Sequence, residues 1–228
     1  MLESGELAKG RALIWWLQDG EEQRLEYELL DGRSPGLPLI VLLPSANQIR
    51  RTLPLLPRVV DLHPRAILPA PYLGTPDYLR QVLAAPPRSL ADAVMRYLRR
   101  RGVMADPSTE KDVRRIFELA PEVNSITRLA RRMYVSRRTL GRHFALSGLP
   151  VPSPHWLQFA RLLHVSIQLQ NETGAAFRIA TRAGYPDGFT MSNQMKRMIG
   201  YRPTEVRNWL GWEWLLEAWL RREGVARV

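Results

Sequence analysis

The sequence predicts two architectures in series: a small α/β unit with a short parallel sheet over residues 1–105, and an all-helical unit over residues 106–228 that holds two helix-turn-helix patterns joined by a linker helix. Three observations predict this. In the first part, two apolar runs bounded by proline or arginine, Pro38–Pro44 and Arg65–Pro71, alternate with helical stretches. From residue 110 onward no convincing strand pattern occurs. Between residues 125 and 200, apolar residues at helical spacing occur twice on either side of a short break.

A length of 228 residues accommodates two modest domains, and a hydrophobic content of 45% supplies a core to bury. The net charge is +11, and only Lys9, Lys111 and Lys196 among the 33 basic residues are lysines. Arginine's planar fork suits phosphate oxygens and guanine edges better than a lysine point charge does. Residues 106–228 hold 19 of those basic residues against 11 acids, so the second part is the expected electrostatic footprint. The absence of cysteine excludes disulfides, thiol nucleophiles and cysteine-based zinc sites. The first ten residues carry acids where a signal peptide needs basic residues, and no apolar run approaches the ~18 residues of a spanning helix, so a cytoplasmic protein without membrane attachment is expected.

In chain order, Arg11–Gln18 fits a strand or a short helix, followed by an acidic stretch and the turn signals Asp31-Gly32 and Ser34-Pro35-Gly36. Pro38–Pro44 has the length and composition of a strand buried on both faces. Ser45 or Asn47 caps a helix through Gln48–Val60 that Pro54 and Pro57 break or shorten. Arg65–Pro71 is a second strand, and Thr75-Pro76 opens a helix reaching Leu83. This order implies a parallel sheet with right-handed crossovers. Ser89–Arg101 places Leu90, Val94, Tyr97 and Leu98 along one helical face, and Gly102 ends it. Gly102–Thr109 is the expected linker, with a new helix over Glu110–Leu119.

Within residues 125–144, Ile126, Leu129, Ala130 and Met133 share a face of a first helix. Tyr134-Val135 make a tight turn, and Ser136 caps a second helix buried through Leu140 and Phe144. This helix would offer Ser136, Arg137, Arg138, Thr139, Arg142 and His143 to the major groove of double-stranded DNA. Residues 174–200 follow the same logic: Ile179, Ala180 and Ala183 face inward, Gly184 turns, Asp187 caps, and Met191, Met195, Met198 and Ile199 pack a helix that exposes Thr190, Ser192, Asn193, Lys196 and Arg197. A helix over Pro154–Gln170, ~26 Å long, joins the two units. Recognition helices about one DNA turn apart, ~34 Å, would enter successive major-groove segments on one face.

Arg161-Leu162, Ile179-Ala180, Ala183-Gly184-Tyr185, Asp187, Ser192, Lys196-Arg197, Gly200, Pro203 and Arg207 fall, without gaps, on the pattern of one family. Over roughly residues 108–207 the chain resembles the AraC/XylS transcription regulators. The resemblance implies sequence-specific DNA binding, activation through an exposed face that meets RNA polymerase, and no cofactor. Gly188, Phe189, Met191, Asn193 and Met195 depart from the pattern, as does the spacing over residues 145–154. Base reading is therefore expected chiefly from the first unit, with phosphate contacts from the second.

V-V-D-L-H-P at 59–64 is similar to the phosphoacceptor strand of response-regulator receiver domains, and Arg65–Pro71 to a late strand of that fold. The magnesium-binding acid pair and the lysine of phosphotransfer are missing, so a truncated receiver-like unit serving regulation or dimerisation is expected. Trp209, Trp212, Leu216 and Trp219 lie near one face of a C-terminal helix, either core or a partner-binding or homodimer surface. His63, His143, His155 and His164 show no metal-ligand spacing, and nucleophile and phosphate-loop motifs are missing, so neither catalysis nor a metal is expected. The rival reading is a protein-interaction adaptor on a degenerate helix-turn-helix scaffold that binds DNA only non-specifically.

Overall fold

The computed structural model describes residues 10–18, 23–69, 76–104, 106–147, 149 and 151–225. Strands β1 (Leu13–Trp16), β2 (Leu39–Leu43) and β3 (Ala66–Pro69) form a parallel sheet in the order β1-β2-β3, with Ile14 opposite Ile40 and Val41 opposite Ile67. The open alternative at Arg11–Gln18 resolves as a strand. Helix α1 (Gln23–Asp31) connects the first pair, over a stretch the sequence marks only as acidic and polar. Among its described side chains Tyr27 and Leu30 face inward, and six acids between Asp19 and Asp31 obscure that face in the sequence.

The second connection is broken as its prolines predict: α2 (Ala46–Thr52), a 3-10 turn over Leu53–Leu55, and α3 (Leu56–Asp61). Residues 59–61, similar in sequence to a phosphoacceptor strand, are therefore the last turn of a helix, with Val59 wholly buried and Asp61 exposed. The strand order differs too, because a receiver sheet places its first strand between the second and third. Both crossovers pack on one sheet face, where Leu30, Val59 and Leu62 meet Trp15, Leu39 and Val41. Two crossovers of one hand stepping in one direction must share a face.

The other face carries Ile40, Leu42 and Leu68 against Leu83 and Ala84 of α4 (Pro76–Ala84) and against Leu210 from near the C-terminus. The expected cap Thr75 lies outside the described residues. Helix α5 (Leu90–Arg100) is capped by Ser89, whose hydroxyl accepts the Asp92 N–H at 3.1 Å, and ends at Gly102 with φ +68°. Although α5 precedes the expected linker, Val94, Met95 and Leu98 belong to the core of the helical part. Helix α6 (Pro107–Leu119) starts earlier than expected: Asp106 accepts the Thr109 N–H at 2.8 Å and Pro107 takes the first helical position. Asp106-Pro107, placed in the expected linker, is here the start signal of the helix.

Then come α7 (Ile126–Arg132), α8 (Arg137–Leu146), α9 (Ser153–Asn171), α10 (Ala176–Arg182), α11 (Gly188–Ile199), α12 (Pro203–Asn208) and α13 (Glu213–Arg222). Helix α9 is the axis, packed by α4, α6, α7, α8, α10, α12 and α13. Its Trp156 and Phe159 meet Trp219 of α13, with the Phe159 and Trp219 rings stacked at 4.2 Å. Trp212, Leu216 and Trp219, with Trp214, are buried within the chain and Trp209 is half-buried, so most of the tryptophan-rich segment is core. Its helix starts only at Glu213, after Gly211 with φ +93°.

Candidate nucleic-acid interface

Helices α7 and α8 form the first unit and α10 and α11 the second, and the two turns share one hydrogen-bond pattern. In the first, the Tyr134 N–H donates to Arg131 O (3.1 Å) and the Val135 N–H to Ala130 O (3.0 Å). In the second, the Gly184 N–H donates to Thr181 O (2.9 Å) and the Tyr185 N–H to Ala180 O (3.0 Å). Such paired bonds close a helix C-terminus and need a left-handed residue, here Tyr134 (φ +58°) and Gly184 (φ +75°). Buried alanines, Ala130 and Ala180, precede both turns and allow close helix crossing. The repeat extends to ion pairs: Arg132 meets Glu122 before the first turn, and Arg182 meets Glu172 before the second.

Both second helices are capped as the sequence predicts. Ser136 Oγ accepts the Thr139 N–H (2.9 Å), and Asp187 accepts the Thr190 N–H (2.6 Å). Hydrogen bonds from the Thr190 backbone and side chain hold the Asp187 carboxyl below the usual carboxylate range. Gly188 is the first residue of α11, where its conformational cost is smallest, and a Cβ there would lie 3.3 Å from Phe177 Cβ. Glycine lets α10 and α11 approach.

The candidate base readers separate by what they already touch. On α8, Arg137, Arg138 and Arg142 are exposed and have no side-chain partner among the described residues. Ser136 and Thr139 are joined hydroxyl to hydroxyl (2.8 Å) in the cap, and His143 Nδ1 lies 3.0 Å from Asp112 of α6. On α11, Asn193, Lys196 and Arg197 are exposed without side-chain partners among the described residues, Thr190 is exposed, and Ser192 is half-buried. Beyond the residues the sequence singles out, Arg131 and Arg178 lie exposed on α7 and α10, and Phe177 and Phe189 are 61% and 75% exposed. The arginines follow from helical spacing opposite Ala130 and Ala180; no sequence signal marks the two phenylalanines as solvent-facing.

Helix α9 braces both units. Arg161 Nη2 donates to Ala183 O (2.8 Å) and its guanidinium lies 5.0 Å from the centre of the Tyr185 ring. One side chain thus holds the second turn against the axis. With 19 residues, α9 is ~28 Å long, close to the spacing of successive major-groove segments.

Residues 129–208 match the family model of a helix-turn-helix domain. Among solved structures, the chain is similar to a transcriptional regulator from Chromobacterium violaceum described by its AraC-type DNA-binding domain, at 21% identity and a TM-score of 0.40, over 45% of this chain and 95% of that one. No curated protein matches. Residues 129–208 of this chain are thus a helix-turn-helix domain.

Proposed function

We propose that this chain is a sequence-specific DNA-binding transcription regulator, acting as an activator, in which α8 and α11 enter successive major-groove segments of one duplex face. The observation that carries this reading is the duplicated capped unit, which leaves the side chains of Arg137, Arg138 and Arg142 on one helix and of Asn193, Lys196 and Arg197 on the other without partners among the described residues. Arginines of this kind read guanine edges or grip phosphates. Arg131 and Arg178 are placed to add phosphate contacts, and the exposed Phe189 to meet a thymine methyl group. Ser136, Thr139 and His143 serve the cap and the α6 contact before they serve DNA, which gives the three arginines of α8 the larger share of readout.

In this account residues 1–105 form a regulatory or dimerisation part and residues 106–228 the DNA reader, with α5 contributing to the reader's core. An exposed face of the reader contacts RNA polymerase. A second reading, an adaptor that binds protein through the second unit, draws on the two exposed phenylalanines, Phe177 and Phe189. One experiment separates the two: selection of sites from random duplex DNA, then affinities for the selected and a scrambled duplex at one salt concentration, for wild type and Arg138→Ala. The regulator reading expects a preference of about 10³-fold or more, reduced by about 1–3 kcal/mol in the variant. Equal affinities for both duplexes would leave the adaptor.

A further inference from the structure

Between the sheet unit and the helical part lies a cavity of about 880 Å³, within the range of small-molecule sites and far too small for a duplex. Its walls include Arg33, Arg65, Arg88, Arg96 and Arg100, together with His63, and among the described residues the one carboxylate lining it is Glu213. Glu213 is already engaged, by Arg65 at 3.0 Å and by the Trp212 N–H at 3.0 Å. Arg33 is 91% buried, and among the described residues its terminal nitrogens reach only carbonyl oxygens, of Leu30 and Leu62 at 2.7 Å and of His63 at 3.4 Å. Arg88, Arg96 and Arg100 have no hydrogen-bond or ion-pair partner among the described residues, and the Nε atoms of Arg33 and Arg100 are buried and unpartnered.

Gathering like charges around a partly desolvated space is unfavourable unless an anion offsets it. Its field acts on the groups inside. Burial, and next the charge of Arg100, lowers Arg33 to about 10, while burial and the charges of Arg100 and Arg96 push the His63 imidazole below its ordinary value. His63 is also held at φ +50°, a conformation that costs a non-glycine residue free energy and presents its carbonyl to Arg33. The remaining walls are apolar, with Pro38 and Val82 on the sheet side and Tyr97 and Trp212 on the helical side.

We propose that this cavity binds a small organic polyanion of up to nucleotide size, held through phosphate or carboxylate groups by Arg96 and Arg100. Guanidinium forks pair with such groups in two-point contacts, and the apolar walls take an uncharged moiety. The site is built from both parts of the chain, so its occupant bridges them. It shares no residue with the proposed DNA-reading surface and stands or falls independently of it.

Calorimetric titration of the full chain with inorganic pyrophosphate, AMP and citrate, with adenosine as the uncharged control, tests the site and separates phosphate from carboxylate recognition. At least one anion binds saturably with Kd of about 10⁻⁴ M or tighter, at least tenfold weaker in Arg96→Gln and in Arg100→Gln, and unchanged in Arg138→Ala. Arg96 is exposed and has no hydrogen-bond or ion-pair partner among the described residues, so its variant folds and alone decides the matter if the Arg100 variant does not. Three results overturn the proposal: no saturable binding of any of the three anions at about 10 mM, undiminished binding in folded Arg96→Gln, or equal loss in Arg138→Ala, which places the anion on α8.

Discussion

Two residues of the first unit sit where another amino acid fits the backbone better. Tyr134 adopts φ +58° with its ring 95% exposed, so its packing offsets little of the ~1–2 kcal/mol that the left-handed region costs an L-residue. Tyr134→Gly is expected to stabilise the protein by about 1 kcal/mol in urea denaturation, whereas Gly184→Ala, at the matching place of the second turn, lowers stability by a similar amount. Gly141 lies in the exposed middle of α8, and a Cβ there meets nothing within 4 Å. Gly141→Ala should therefore add about 1 kcal/mol, while Gly188→Ala, pressed 3.3 Å from Phe177, should not. Caps and turns were the legible features at this scale, because Ser89, Ser136, Asp187 and Gly102 act through bonds a few residues away. The pairing of His143 with Asp112 joins helices 31 residues apart and has no local signature.

Among the elements, the long axis α9 and the helices of both units follow from apolar spacing, and the sheet strands from short β-branched runs between breakers. What local pattern missed is physical in each case. Helix α1 has its apolar residues interspersed with acids, α5 joins the helical core across the stretch expected to be a linker, and the tryptophan-rich segment divides at Gly211 into a turn and α13. The bracing of the second unit by Arg161 is legible only as a sequence resemblance, since its partners lie on another helix-turn-helix element. Arg161→Met should remove both the bond to Ala183 O and the stacking over Tyr185, lowering stability by about 1–2 kcal/mol. Hydrogen exchange should show the loss concentrated in α10 and α11, with α7 and α8 little changed.

At the scale of the molecule, two buried ion pairs join early and late chain. Arg65 meets Glu213 between sheet unit and helical part, and Glu217 of α13 accepts from Tyr97 Oη (2.7 Å) and Arg101 Nη2 (2.6 Å) at the end of α5. Burial pushes the Glu217 carboxyl up, but the hydrogen bonds from Arg101 and Tyr97 and the Arg101 charge prevail and hold it below the usual range. As pH falls, the unfolded chain takes up this proton first. The contribution is therefore complete above the ordinary carboxylate pKa, ~4.5, and is lost as pH falls through the lower folded value. Glu217→Gln should cost about 3 kcal/mol at neutral pH, by leaving Arg101 buried without its partner, and its stability should fall less steeply than wild type below about pH 5.

Footprinting of a selected site by hydroxyl radicals shows whether the two helix-turn-helix units carried by α9 read one duplex face. Two protected segments about 10 base pairs apart are expected, with Arg138→Ala weakening protection of one and Lys196→Ala, a substitution on α11, the other. A single protected segment that both variants weaken alike would contradict it.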